Sequence, residues 1–464
     1  LRLFSDLILD TSTLLRIRIG IKRMELPNII LVILDRLHRS GFQAYVVGGA
    51  IRDIYLGRAP MDWDVATSAP VEEIKGIFHD MRYFALKHGT VTIVNNGRHF
   101  EVTPFKGPQN IPKTIISDLG RRDFTIDAMA YDVHENEILD PLDGRRDITQ
   151  RTVRAAGDPT ERFREDPLRL LRAVRLATEF NFRMEPKTMA AISRMAEHLA
   201  SVAQERIRDE LMNILMSRRP SKGFNLMWRT GLLRQVLPEL IECHLKKQNA
   251  RHRFTIYKHI LETIDRVAPD PIQRLCALLH DIAKPRVRTK INGEFRFIGH
   301  EKASAELAKD ILTRLRFSNN MIGQVVNLIS HHVIQYHSNW SDGAVRRLIR
   351  RVGPGNVEAL ISFREADLLA HGRGNEGLSL LSDLKKRIKK ITEIPFPGET
   401  RGLAIDGHRV MAALGLQTGP EVGRVLDALM EKVMDQPELN TEEELVNLLK
   451  QAHYPDLFLD TDGH

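Results

Sequence analysis

Two successive glycines, Gly48 and Gly49, close the apolar run AYVV and open AIRDIYLG. A strand that ends in such a pair lets backbone amides approach a ligand closely, because no Cβ stands in the way. Arg52, one turn on, adds positive charge. A tight strand-to-helix turn with no ligand would use the same residues, so the neighbouring segments decide between the two. After twelve intervening residues comes Asp62-Trp63-Asp64, in MDWDVATS. On a strand, residues two apart share a face. Two carboxylates on one face can hold Mg2+ ions that clamp an in-line phosphoryl displacement. An isolated pair of this kind is usually a solvated strand face. Behind a glycine turn and between two strands, it reads as a metal pair. Glu101, in FEVT, is a candidate third acid, though outward alternation on an edge strand explains it equally.

The surrounding pattern is that of a small mixed sheet with helices on one face, ending near residue 150. Residues 28–39 have helical spacing, with Ile30, Val32, Ile33 and Leu37 on one face, and Gly41 stops them. VEEIKGIF is a second helix, and GTVTIVNNGRHFEVTPF is a hairpin turning at NNG. From there helical spacing dominates, and only the short GEFRFIG reads as strand. At 464 residues and 42% apolar content the chain has material for several cores, which excludes wholesale disorder. Two cysteines, Cys243 and Cys276, suit neither a zinc ribbon nor a disulfide framework, and point to a reducing compartment. No apolar run reaches bilayer length. The net charge of +8 is mild, but ten arginines against six acids lie between Arg145 and Arg183, which favours a polyanionic partner.

Taken in order, VVGGAIRDIYLG, MDWDVATSA, HGTVTIV, FEVTPF, RRDFTIDAMAYD, DPLDGRRDI, RAAGDPTERFREDPLRLLRAVRLA and RIRDEL resemble the class II tRNA nucleotidyltransferase and poly(A) polymerase family, over about residues 24–240. The resemblance implies an α+β chain: a polymerase-β-like head, then an all-helical neck and body. It implies Mg2+ on Asp62 and Asp64, and transfer of a nucleotide from CTP or ATP to an RNA 3′ hydroxyl with release of pyrophosphate. It places Gly48, Gly49 and Arg52 at the triphosphate, and Arg121, Arg122 and Asp123 at ribose and phosphate. Asp127 stands where the family pattern has asparagine, and its carboxylate can accept a hydrogen bond but has no amide N–H to donate.

Glu165, Asp166 and Arg169 match the family's EDxxR motif, whose aspartate and arginine serve as template for the base. The chemistry fits: a carboxylate accepts from an exocyclic amine while a guanidinium donates to ring acceptors. Asp166 is also suited to capping a helix that begins at Pro167. Arg172, one turn beyond Arg169, is expected on phosphate. Arg206 and Glu210 are expected to brace the neck as an i,i+4 pair. The connection from Lys106 to Gly120 is short and holds no arginine. Among relatives that resembles enzymes adding CC only, although a trimmed loop in a complete CCA enzyme has the same appearance.

Further on, LCALLHDIAKP is an amphipathic helix carrying His280 and Asp281. His259, His300, His331, His332 and Asp367 flank it in sequence. Histidine and carboxylate drawn from several helices suit a divalent transition metal. The pattern resembles the HD phosphohydrolase superfamily over about residues 250–372. That implies His259, His280, Asp281 and Asp367 as core ligands, His300 and His331 as extensions, and a possible second activity on phosphoesters. An inactive HD scaffold that grips RNA is the alternative.

The expected layout is a leader or mis-assigned start over 1–23, a nucleotidyltransferase head over 24–150, a helical RNA-binding body over 151–245, an HD domain over 246–392 and a small helical tail over 393–464, with a linker at 393–402. The expected function is tRNA 3′-end nucleotide addition in the cytoplasm, with tRNA, CTP and ATP as partners, and neither a membrane nor an obligate protein partner. A poly(A) polymerase, or a phosphohydrolase with a vestigial RNA-binding head, are the competing readings.

Overall fold

The computed structural model describes residues 24–85, 89–107, 113–248, 254–371, 376–393 and 402–451. The leader expected over 1–23, and all but the end residues of the expected linker, lie outside them. The chain divides between Pro238 and Glu239 into two compact units.

The first unit contains α1 (Asn28–Arg39), β1 (Ala44–Val47), α2 (Gly49–Tyr55), β2 (Asp64–Thr67), α3 (Val71–Ile77), β3 (Tyr83–Ala85), β4 (Val91–Asn95), β5 (Arg98–Pro104), α4 (Ile115–Leu119), β6 (Ala130–Asp132), β7 (Glu137–Leu139) and α5 (Gly144–Thr149). The seven strands form one sheet in the order β3-β4-β5-β2-β1-β6-β7. Only β2 and β5 pair in parallel. Asn96 and Gly97 both have positive φ, which is what a two-residue hairpin turn between β4 and β5 requires.

Register sorts the sheet into two faces. Val46, Val65, Val102 and Val91 pair in succession across four strands and are buried. Val47, Asp64, Glu101 and Thr92 pair in the same way one residue along, so they occupy the opposite face. The sheet thus keeps its aliphatic core on one side and carries its carboxylates on the other.

α1 buries Ile30, Ile33, Leu34 and Leu37. Val32, expected among them, is 42% exposed. Positions i, i+3, i+4 and i+7 make the stripe, and Val32 falls between its rows. The stretch from Lys106 to Gly120 is not all connection. Thr114 and Ser117 form a reciprocal capping box that starts α4. Ile115 and Leu119 then pack beside Phe105, Val47, Ala66 and Ala130. This places a helix on the carboxylate face, so the helices are not confined to one side as expected.

The neck comes next: β8 (Thr152–Val153), α6 (Pro159–Glu165), α7 (Arg169–Glu179), β9 (Arg183–Met184), α8 (Pro186–Met195), α9 (Gln204–Leu215), α10 (Pro220–Thr230), α11 (Leu232–Val236) and α12 (Pro238–Glu242), which reaches the division. α7 buries Leu170, Leu171, Val174 and Ala177 and packs on α9 and α10. Its polar edge, Arg169, Arg172 and Arg175, faces the head's cleft.

The second unit contains α13 (Ile256–Arg266), α14 (Pro271–Leu279), the hairpin β10 (Thr289–Ile291) and β11 (Glu294–Arg296), α15 (His300–Arg314), α16 (Asn319–His331), α17 (Asp342–Val352), α18 (Pro354–Ala370), α19 (Glu376–Thr392), α20 (Gly407–Leu414), α21 (Pro420–Asp435) and α22 (Glu442–Gln451). The last three enclose a small core of Val410, Val425, Leu429, Leu445 and Leu449. Arg347 ties α17 to Asp435 of α21 at 3.0 Å. Among the described residues no helix is long and apolar enough to cross a membrane.

Candidate active site and metal centre

A cleft of about 640 Å3 opens on the carboxylate face of the sheet. Gly48 joins β1 to α2 with φ at +78°. A Cβ there would lie 2.9 Å from Arg122 Nη1 and 3.7 Å from Asp64 Oδ2. The backbone conformation therefore demands glycine, while a Cβ would displace only the tip of Arg122. Asp64 begins β2, directly across from Glu101 on β5. Burial, and then the Glu101 charge, push the Asp64 carboxyl up to about 6. Two carboxylates facing each other across a strand pair, one of them partly buried, are a natural cation site.

Asp62 stands differently from the expectation. The strand starts at Asp64, so strand alternation does not apply to Asp62, which lies exposed just ahead of it. It is not among the residues lining the cleft. Its charge still reaches Asp64 and helps to raise that carboxyl.

Carboxylates hold the arginines of the cleft. Arg122 pairs with Asp118 at 3.1 Å, and the other oxygen of Asp118 accepts the Lys106 N–H at 2.9 Å. Arg121 reaches Glu165 at 3.4 Å. Arg169 Nε lies 2.6 Å from Asp123, and its Nη1 donates to Glu165 at 3.0 Å. Burial alone would raise the Asp123 carboxyl, but Arg169 and Arg172 outweigh it and hold it below its usual range. Arg52 pairs with Asp127 and Asp53.

Three expectations meet this network. Arg172, expected on phosphate, is bound between Asp123 and Glu210. Glu210 is buried and turns to Arg172 and Arg175, not to Arg206. Arg206 instead reaches Asp166 at 2.9 Å, and Asp166 also accepts the Leu168 N–H at 3.1 Å. Asp166, expected as a template for the base, here supports the entry to α7 and is not among the residues lining the cleft. Asp118 and Arg175 do not stand out in the sequence. The i,i+4 spacing of Asp118 and Arg122 is the available signal for the first.

The second unit holds a separate constellation. His259, His280 and Asp367 bring ligand atoms together, as do Asp281, His300 and His332. His259 Nε2 lies 3.2 Å from His280 Nε2 and 2.9 Å from Asp367 Oδ1. Two imidazole nitrogens on one metal with bonds of about 2.0–2.1 Å stand roughly 3.3 Å apart at a tetrahedral angle. Backbone carbonyls of Ala277, Phe297 and Ile329 accept from Nδ1 of His280, His300 and His332, which leaves each Nε2 with a lone pair for a metal. Both oxygens of Asp281 and Oδ1 of Asp367 are buried and accept no well-aligned hydrogen bond, although Lys284 Nζ approaches Asp281 at 2.7 Å. The donor set fits a divalent metal.

His332, not His331, belongs to this cluster. His331 ends α16 with Nδ1 on the Asn327 carbonyl, while His332 is buried and points to Asp281. Burial, and then His280, push His332 down to about 3, a neutral ring suited to ligation. His371, one helical turn beyond Asp367, also joins the cluster, with its ring centroid 5.0 Å from that of His259.

Three family models match the chain: "Poly A polymerase head domain" at residues 44–154, "Probable RNA and SrmB- binding site of polymerase A" at 181–243, and "HD domain" at 271–371. The chain is 31% identical to the A-adding tRNA nucleotidyltransferase of Deinococcus radiodurans, over 84% of this chain and 91% of that one. It is 33% identical to the CC-adding tRNA nucleotidyltransferase of Thermus thermophilus, over 84% and 89%. Its fold is similar to that of the Bacillus stearothermophilus CCA-adding enzyme in complex with CTP, with TM-score 0.71, 28% identity, and coverage of 92% of this chain and 97% of that one.

Proposed function

This chain belongs to the family of CCA-adding enzymes and tRNA nucleotidyltransferases, and from that premise we propose how its cleft works. It adds C to the 3′ hydroxyl of tRNA from CTP and stops, or slows sharply, after two. The observation that carries the chemistry is the pairing of Asp64 with Glu101 beside the glycine turn. Asp64 and Glu101, with Asp62 at the rim, would hold Mg2+, which supplies charge neutralisation at the reacting phosphate. Gly48 and Gly49 present backbone amides to the triphosphate, and Arg122, held by Asp118, adds charge beside them. Arg169 donates to the base edge, and Asp166 holds the start of its helix. Arg121 and Asp123 face the sugar and phosphate. The setting for this work is the cytoplasm.

Stopping at CC rests on the wall between β5 and Arg121. Its end residues are a capped helix, and its base is stitched by Asp118 to Lys106 and by Ser117 Oγ donating to the Lys106 carbonyl at 3.2 Å. A specificity switch from C to the larger A calls for a moving part, and the described ends of this segment, up to Gly107 and from Lys113 on, are tied together by these bonds. The test offers tRNA ending at the discriminator base with each NTP, and tRNA ending in CC with ATP alone. The expected products end in CC, with poor A addition. Efficient A addition would overturn the CC limit.

The ligand geometry around His259, His280, Asp281, His332 and Asp367 favours a second activity: metal-dependent hydrolysis of a phosphoester in the second unit. Metal analysis of the purified protein, with assays on phosphoester substrates, tests it. A metal-free centre and no hydrolysis would remove this reading.

A further inference from the structure

Arg52 lines the cleft and is tied to protein partners on its other sides. Its side chain is 11% exposed and pairs with Asp53 on its own helix at 2.9 Å and with Asp127 from the 3-10 turn Thr125–Asp127. Its Cζ lies 4.5 Å from the ring centroid of Phe180, the residue that closes α7. Arg58 stands 4.8 Å from the same ring and reaches Glu179 at 4.0 Å. Two guanidiniums against one buried aromatic ring, backed by carboxylates, make a fixed joint.

Three parts of the cleft meet at that joint. α2 starts at the glycine turn, the 3-10 turn comes just after Arg121–Asp123, and α7 carries Arg169 at its far end. The geometry points to Arg52 and Phe180 as a clamp that sets the reach from the glycine turn to Arg169, which makes Phe180 a positioning residue for base selection although it does not line the cleft. The inference rests on the reading of Arg169 as donor to the base. A nucleotide held by its phosphates carries its base a set distance, so the reader must wait at that distance. α7 has eleven residues, and at 1.5 Å rise it is a rod of roughly 16 Å. Pivoting it by about 4° at the Phe180 end moves Arg169 by about 1 Å, a displacement that can cost on the order of 100-fold in rate. The carboxylate at Asp127 strengthens the joint, because it gives Arg52 a charge-assisted partner where an amide would give a neutral one.

The experiment uses the full chain, tRNA ending at the discriminator base, and CTP or UTP separately. Phe180→Leu keeps apolar bulk and removes the ring face, while Phe180→Tyr keeps the face. We expect Phe180→Leu to lower the CTP-over-UTP ratio of kcat/KM by about 5–10-fold and Phe180→Tyr to stay within about 2-fold of wild type. If the leucine variant does not fold, Arg58→Gln removes one cation from the ring, and we expect it to lower the ratio by about 2–3-fold. An unchanged ratio, with CTP and UTP slowed alike and the melting temperature reduced, is the mark of a merely structural residue and overturns the clamp, as does an equal loss in the tyrosine variant. A wild type with no preference for CTP would instead overturn the reading of Arg169, and the clamp with it.

Discussion

Asp64 shows what one carboxylate gains from its surroundings. Its usual value of 3.8 rises to about 6 through burial and the Glu101 charge. The folded carboxyl therefore binds a proton more tightly than the unfolded one. Its contribution to the stability of the metal-free protein grows as pH falls from about 6 toward 3.8 and is absent well above 6. A proton and Mg2+ then compete for the same oxygens. Titrations of activity against Mg2+ should show the half-saturating concentration climbing as pH drops from 7 to about 5.5, and a flat profile would contradict the assignment. Asp64→Ala should reduce nucleotide addition to background, and Asp62→Ala should also impair it, while tRNA binding by filter retention holds, because basic surface carries the RNA. At the second centre, His332→Ala should deplete bound metal far more than His331→Ala, since only His332 points to Asp281. Metal content by mass spectrometry decides between the two.

At the scale of elements, α7 does two jobs with one sequence. Its apolar positions bury against α9 and α10, and its arginines line the cleft on carboxylate supports from the head and from α9. Arg169 is the position where losing a side chain should show as lost discrimination. Arg169→Ala should cost about 1–3 kcal/mol of preference for C over U, or roughly 5–150-fold in the ratio of kcat/KM. Equal slowing of all four nucleotides would make it a phosphate contact. Element placement is largely readable from the chain: helical spacing locates α1 and α14, and the NNG turn locates the hairpin. Rotation about the helix axis is not. Spacing alone puts Val32 on the buried face of α1 that Leu34 occupies, and it does not separate His331 from its neighbour. Adjacent helical residues differ by about 100° around the axis, and the packing of other helices settles which of two neighbours turns inward.

For the whole molecule, the two units carry separate chemistry: paired oxygen ligands in the head, and mixed histidine and carboxylate ligands in the helical second unit. Replacing His280 and Asp281 together by alanine should abolish phosphoester hydrolysis and metal binding at that centre and leave C addition within about 2-fold of wild type. Loss of C addition in a variant whose first unit still unfolds normally would show that the two chemistries are not independent.

Where the reactive groups stand along the chain is legible in the residue order. A glycine pair behind an apolar run, two aspartates flanking a tryptophan, EDxxR, and His280 beside Asp281 are all local spacings, and local spacing follows from helix and strand geometry. Which charge meets which depends on how the chain folds back on itself. Glu210 lies 38 residues from Arg172 and Asp123 lies 49 from the same arginine, yet both bind it. Asp166 and Arg206, 40 apart, close on each other. Such pairs are chosen when packing carries distant segments together and burial leaves each guanidinium only the carboxylates within its reach. A linear motif names the arginines and cannot say which of them remain for the substrate.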